Sequence, residues 1–301
     1  MKTKNIALSL SAVIAMAALS ACAGSGTETA SQTGAAPSSS FDADREITVV
    51  SREDGSGTRG AFIELFGIEQ KDASGNKVDT TTEEAIIANK TDVMLTNVSG
   101  DKYAVGYVSL GSLNDNVKAL RIDGAEASAE NVKNGSYKIS RPFNIATKSD
   151  ISEVAQDFID FIMSAEGQEV ASDGYIAIND SAEPYTGSKP AGKVVVAGSS
   201  SVSPLMEKLK EAYIAVNTNA EIEIQTNDST SGMNGAIEGT CDIGMASREL
   251  KDSEAAELTS TAICLDGIAV IVNPENPTNE LTSDTVKDIF TGTITSWSEI
   301  N

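Results

Sequence analysis

The chain has 301 residues, 40% of them hydrophobic and 22% charged, with a formal net charge of −22. That length supports one large domain or two lobes with sizeable cores, and the excess of carboxylates argues against a nucleic-acid partner, whose phosphates they would repel. There is no histidine, which excludes a Ser-His-Asp triad, a Cys-His pair and His-based zinc sites, and the three cysteines, Cys22, Cys241 and Cys264, are too few for a disulfide framework.

Lys2 and Lys4 precede an apolar run from Ile6 to Leu19. The run is short for a membrane span and has the layout of a secretion signal. It ends in Leu19-Ser20-Ala21-Cys22. Small residues before a cysteine are similar to the lipobox of bacterial lipoproteins, in which residues 1–21 are removed and Cys22 is lipidated. Residues 22–45 are small and polar and read as a tether that holds a folded body off a membrane.

The body opens with Ile47 to Phe66, ITVVSREDGSGTRGAFIELF. It predicts a strand, a turn rich in Gly and Ser, and an amphipathic helix. Short side chains at Gly55, Ser56, Gly57 and Thr58 allow close approach to the backbone. The first helical amides lack partners, the dipole favours negative charge there, and Arg52 and Arg59 add full positive charge. One such turn is equally an ordinary strand–turn–helix connection.

Residues 70–82 read as a surface loop, Glu83–Asn89 as a short helix, and Val93–Leu95, Ala104–Leu110 and Lys118–Ile122 as strands. Glu130–Asn134 is a helical turn, Tyr137–Thr147 is extended, and Ile151–Val170 is one amphipathic helix whose Val154, Phe158, Phe161 and Ile162 face a core. Asp180–Lys193 is a linker by composition. Its Gly187-x4-Gly192-Lys193 approaches a nucleotide P-loop, but Val194 stands where Ser or Thr is required and the segment precedes a strand.

The second half repeats the opening pattern. Strand Lys193–Ala197 leads to GSSSVSP (Gly198 to Pro204), with Ser203 as the expected N-cap of a helix to Val216. Strand Glu221–Gln225 leads to Asn227–Gly232 and a helix to Glu238. Strand Asp242–Ala246 ends at Ser247-Arg248; a helical Glu249–Leu258, a strand Ile263–Val272 and a helix Thr282–Phe290 follow. Alternating strands and helices imply a mostly parallel sheet with ligands beyond its carboxyl ends. Three hydroxyl-rich helix N-termini converging there would suit a small tetrahedral oxyanion.

These residues resemble a known family, the phosphate-binding lipoproteins of bacterial phosphate ABC transporters. The similar stretches are SREDGSGTR (51–59), GYVSL (106–110), YKISRPF (137–143), GSSSVSP (198–204), STSGMNGAIEGTCDIGMASR (229–248), LDGIAVIVNPENP (265–277) and IFTGTITSWSEI (289–300). The resemblance implies an α/β, two-lobed type II periplasmic-binding-protein fold with mixed, mostly parallel sheets and a hinge. It implies capture of inorganic phosphate and delivery to permease subunits, without cofactor, metal or catalysis, on the outer face of a membrane. It implies Arg52, Ser56, Gly57, Thr58, Ser200, Ser201 and Thr230 or Ser231 as ligands, with Asp54 orienting Arg52. It also implies Ser247 as a ligand with Arg248 in support, at the position where some members place a proton-accepting Asp.

In that family the GSSSVSP half comes first; here the order is reversed. The expectation is a circular permutation, with Asp180–Lys193 joining the old termini and with Asn301 and Glu46 close together. An incomplete gene model of a longer tandem protein is the alternative. The lobes would be 46–136 plus 273–301, carrying the DGSGTR turn, and 137–272, carrying the other two. Hinge strands would cross near Ile139–Asn144 and Ala269–Asn273. Cys241 and Cys264 could pair or stay free, and Asp266 reads as structural. Competing functions are a binder of another oxyanion such as sulfate, a non-binding surface scaffold, and a serine hydrolase; the last lacks a Ser-x-x-Lys in any exposed Ser turn.

Overall fold

The computed structural model describes residues 41–300; the signal segment, Cys22, residues 23–40 and Asn301, expected beside Glu46, lie outside the described residues. Strand β1 (Thr48–Arg52) leads into helix α1 (Gly57–Leu65), and the hairpin β2 (Glu69–Lys71) and β3 (Lys77–Asp79) follows. Next come β4 (Ile86–Ala88), α2 (Thr91–Gly100), β5 (Ala104–Ser109), the short β6 (Lys118–Ala119) and β7 (Arg121–Ile122), and α3 (Ala129–Lys133). Then β8 (Ser140–Thr147), α4 (Glu153–Met163) and α5 (Ala165–Ser172) precede the linker. The second half runs β9 (Gly192–Ser199), α6 (Ser203–Val216), β10 (Ala220–Asn227), α7 (Ser229–Glu238), β11 (Ile243–Ala246) and α8 (Asp252–Ala255). It closes with β12 (Thr259–Val272), β13 (Glu280–Leu281) and α9 (Ser283–Phe290).

A nine-stranded mixed sheet runs β10-β9-β11-β8-β12-β5-β1-β4, with β6 also on β12. Its two wings are parallel: β10, β9 and β11 on one side, β5, β1 and β4 on the other. Between them β8 and β12 form a long antiparallel ladder. One large hydrophobic core holds residues from Ile47 to Ile139 together with Ile268–Trp297. Another runs from Phe143 to Cys264. The cores therefore exchange between Ile139 and Phe143 on β8 and between Cys264 and Ile268 on β12. A smaller cluster around Met233 packs α7 on the other parallel wing.

Some expected elements differ. The loop at 70–82 contains the β2–β3 hairpin. Glu83–Asn89 holds strand β4 rather than a helix, added in parallel to β1 through Val50↔Ile86 and Arg52↔Ala88. Val93–Leu95 is part of α2, not a strand. Met94 and Val98 are its buried apolar residues, one turn apart, and Gly106 makes room: a Cβ there would stand 2.4 Å from the Met94 sulfur. The helix expected over Ile151–Val170 is broken at Ser164, whose hydroxyl donates to Phe161 O (2.7 Å) and accepts from Gly167 N (3.3 Å). Ser203 is the first residue of α6, and Val202 takes the N-cap position. Cys241 and Cys264 are both buried and free.

The beginning and end of the described chain meet. Ile47 N donates to Thr295 O at 2.7 Å, Ser298 N to Ala43 O at 2.8 Å, and Glu46 bridges Ser296. The linker after α5 is tied down by buried Asp157 on α4, which accepts from the hydroxyls of Tyr185 and Tyr213 (2.8 Å for the latter) and from Ser188 N (3.0 Å). Asp157→Ala would strand two phenols and an amide without their acceptor. The expected loss is about 1–3 kcal/mol, read from urea unfolding; an unchanged midpoint would show that the linker anchors elsewhere.

Candidate functional site

Strands β1, β9, β10 and β11 all deliver their carboxyl ends to one place, and the segments that follow them face each other there. At the end of β1, Ser56 caps α1 by accepting from Arg59 N (3.3 Å), which leaves Gly57 and Thr58 as the first helical residues. Opposite stand Ser199 at the end of β9, Ser200 and Ser201 just after it, Ser229 at the start of α7, and Ser247 after β11. All are buried. Gly57 is required by this crowding: a Cβ would come within 2.4 Å of Ser229 Oγ and 2.8 Å of Ser247 Oγ.

Hydroxyls link across the cluster. Thr58 Oγ1 lies 2.8 Å from Ser201 Oγ and 3.3 Å from Ser247 Oγ. Ser199 Oγ donates to Ser247 Oγ at 3.0 Å, and Ser229 Oγ accepts from Ser247 N at 3.1 Å. A fourth helix end joins them: Thr91 at the start of α2 sits 3.2 Å from Ser200 Oγ and 3.4 Å from Ser201 Oγ. Reading α2 as a strand hid this residue from the sequence analysis.

Arg52, 2% exposed, is the positive centre. Its Nη2 donates to Ser200 Oγ (3.0 Å) and its Nη1 to Thr91 Oγ1 (3.4 Å). Its Nε and Nη2 meet both oxygens of Glu53 at 2.8 Å, a bidentate fork that fixes the guanidinium plane. Glu53, not Asp54, therefore orients Arg52. The Asp54 side chain is 98% exposed and pairs with Arg59 (3.2 Å). Arg59 is spent on Asp79 (2.8 Å) and the Arg52 carbonyl (2.6 Å), which secures the turn.

The α7 turn is placed differently from expectation. Ser229, not Thr230 or Ser231, carries the hydroxyl inside the cluster. Ser231 is exposed and donates to its own N-cap Asp228 (2.6 Å). Thr230 Oγ1 accepts from Arg248 Nη2 (3.2 Å), while Thr230 N donates to Gly55 O (3.2 Å). Arg248 is otherwise forked on Glu254 (2.7 and 2.8 Å), so it braces the wall.

Sequence reasoning also missed Arg141 as a neighbour of the cluster. Its Nη2 donates to Thr58 Oγ1 at 3.1 Å and lies 3.0 Å from Asp266 Oδ2. Burial pushes the Asp266 carboxyl up to about 6 against the pull of Arg141, and burial lowers Arg141 to about 10. Arg141 stays charged at neutral pH. The assembled groups are hydroxyls, helix-start amides and guanidinia, an array rich in donors that complements an oxyanion.

Two carboxylate substitutions separate the roles of neighbours. Glu53→Ala leaves a buried guanidinium without its carboxylate and should cost on the order of 3 kcal/mol. Asp54→Ala should stay within about 0.5 kcal/mol of the parent. Guanidinium chloride unfolding of both variants measures the difference; equal losses would remove Glu53 from its assigned role.

A family model described as a PBP superfamily domain matches residues 31–166 and 183–301. The phosphate-binding protein PstS 2 of Streptococcus agalactiae is 56% identical over 258 residues, 85% of this chain and 88% of that protein. The crystal structure of a phosphate-binding protein of a phosphate ABC transporter from Streptococcus pneumoniae matches with 47% identity and a TM-score of 0.68, over 85% of this chain and all (100%) of that one. The phosphate-binding protein PstS of Bacillus subtilis is 30% identical over 115 residues, 37% of this chain and 38% of that protein. With its two cores joined by the β8–β12 ladder and strand ends converging on one donor cluster, the chain belongs to the PBP superfamily and, within it, to the PstS phosphate-binding proteins.

Proposed function

We propose that this protein captures inorganic phosphate outside the cell and delivers it to the permease subunits of a phosphate ABC transporter. The observation that carries the reading is Arg52, buried and clamped by Glu53, donating into hydroxyls at the ends of α2 and β9. Phosphate offers four oxygens to such donors, and bidentate guanidinium contacts with phosphate are strong and directional. Ser56, Gly57, Thr58, Ser200, Ser201 and Ser247 remain in the proposed ligand set, joined by Thr91 and Ser229. The protein acts as a binder: with no histidine in the chain, the cluster has no imidazole base to activate a serine.

The two large cores support lobes that cross at 140–142 on β8 and at 265–267 on β12, the latter earlier than the expected Ala269–Asn273. One lobe brings Arg52, the 55–58 turn and Thr91; the other brings the serines of 199–201, Ser229 and Ser247. Contacts such as Thr58–Ser201 and Thr230 N–Gly55 O join the two sets, as in a closed form. Phosphate docks on one set, the ladder flexes, and the other set completes the cage. Such a cycle requires tighter binding by the closed state; the permease would bind that state and open it.

The exchanged order of the halves is supported by the meeting of residues 43–47 with 295–298. It is also supported by the short span of the Bacillus subtilis match beside the long Streptococcus agalactiae one. The Leu19-Ser20-Ala21-Cys22 stretch supports a lipid anchor at Cys22 on the outer face of the membrane.

Titration calorimetry with phosphate, sulfate and arsenate tests the function. Wild type should bind phosphate, and Arg52→Ala should weaken it about 100-fold or more, corresponding to about 3 kcal/mol. No phosphate binding by folded wild type would refute the proposal. Sulfate binding as tight as phosphate binding would move it to the general oxyanion reading.

A further inference from the structure

Arg141 on β8 stands directly across the ladder from Asp266 on β12, at the crossing between the two cores. Both are inside the protein, 4% and 0% exposed. A pair that served only to hold the ladder would set the guanidinium fork against both carboxylate oxygens. This one does not. Asp266 accepts from Ser109 through Oδ1 (2.8 Å), and only Nη2 of Arg141 lies against Oδ2. Nε and Nη1 of Arg141, with Asp266 Oδ2, have no hydrogen-bond partner. Unmet donors on a buried cation are costly, and a cation with unspent donors calls for an anion.

Its position says where that anion sits. The nitrogen that touches Asp266 also donates to Thr58 Oγ1, which touches Ser201 and Ser247. Arg52 reaches the same group of hydroxyls from the other side, through Ser200 and Thr91. The two guanidinia feel one another: the charge on Arg52 is among the influences that lower the Arg141 pKa, after burial. Each guanidinium has one carboxylate beside it, Glu53 or Asp266, yet the two still repel each other across the cluster, and a negative group between them relieves that repulsion.

We propose that Arg141 is a second arginine of the phosphate site, seated by Asp266, and that the bound anion is held between Arg141 and Arg52. The proposal rests on the phosphate reading above and adds a ligand from the hinge ladder itself. Binding would then join the two ends of the cluster and the strands that connect the lobes.

The test is phosphate titration calorimetry on the full-length protein in detergent, with wild type, the double variant Arg141→Gln/Asp266→Asn and the single variant Asp266→Asn. The double variant removes both charges together and keeps their volumes. It should bind phosphate at least 100-fold more weakly than wild type while melting within a few degrees of it. Asp266→Asn keeps the cation and removes its counter-charge; it should bind phosphate about tenfold more tightly and with a steeper dependence on salt. Binding by the double variant within threefold of wild type would overturn the proposal. Should the double variant fail to fold, unchanged or weaker binding by Asp266→Asn would overturn it instead. No binding by wild type would overturn the phosphate reading, and this inference with it.

Discussion

A guanidinium donates hydrogen bonds and never accepts them, and the polarity of the whole site depends on that constraint. Arg52 gives a hydrogen to Ser200, and Arg141 gives one to Thr58. Each hydroxyl that accepts from an arginine keeps its own proton free for another oxygen. Helix starts add amides of the same sense. As the proposed site, the cluster would meet an oxyanion already oriented as a donor surface, with little reorganisation left to make. Glu53 contributes by fixing the plane of one guanidinium rather than by touching the anion.

The sheet explains how such a surface can be made from distant segments. Within each wing the parallel strands send their ends one way, and three antiparallel steps through β8 and β12 turn the two wings against each other, so helix starts from both meet at the cluster between them. The antiparallel β8–β12 ladder joins the wings without adding another covered face. Because each wing has its own large hydrophobic core, either can move against the other while its interior packing is kept. The contacts that would break on opening include hydroxyl pairs, single amide bonds and the Arg52–Ser200 hydrogen bond, and water replaces the neutral ones at small net cost.

Much of this was legible in the residues, for physical reasons. Hydroxyl-rich turns after apolar strands identify themselves because few other residues fit a crowded helix start, and Arg52 could be assigned because it adjoins such a turn. What was not legible depends on contacts distant in sequence. Thr91 was hidden because a three-residue apolar run does not reveal period; only Met94 and Val98 together show the helical face. Glu53 and Asp54 are adjacent carboxylates in the turn after β1, and the choice between them is made by the path of that turn, which sets Glu53 on Arg52 and leaves Asp54 to solvent. Arg141 and Asp266 lie 125 positions apart by their numbers and meet only through the register of β8 on β12. Ser229 displaced its neighbours for a similar reason: Asp228 caps α7 and takes Ser231 for itself.

The packing of the chain ends affects what spectroscopy can see. Trp297 is the single tryptophan. It donates from Nε1 to Tyr103 O at 3.1 Å and meets the ring of Phe41 at 6.3 Å. Thr48 N, at the amino end of β1, donates to the same Tyr103 carbonyl. The arginine centre is at the opposite end of that strand, roughly 13 Å away at the usual rise per residue. Indole emission from this molecule therefore monitors the docking of residues 41–47 against the segment around Trp297. A spectral change there would register a disturbance of that junction, and cargo only indirectly.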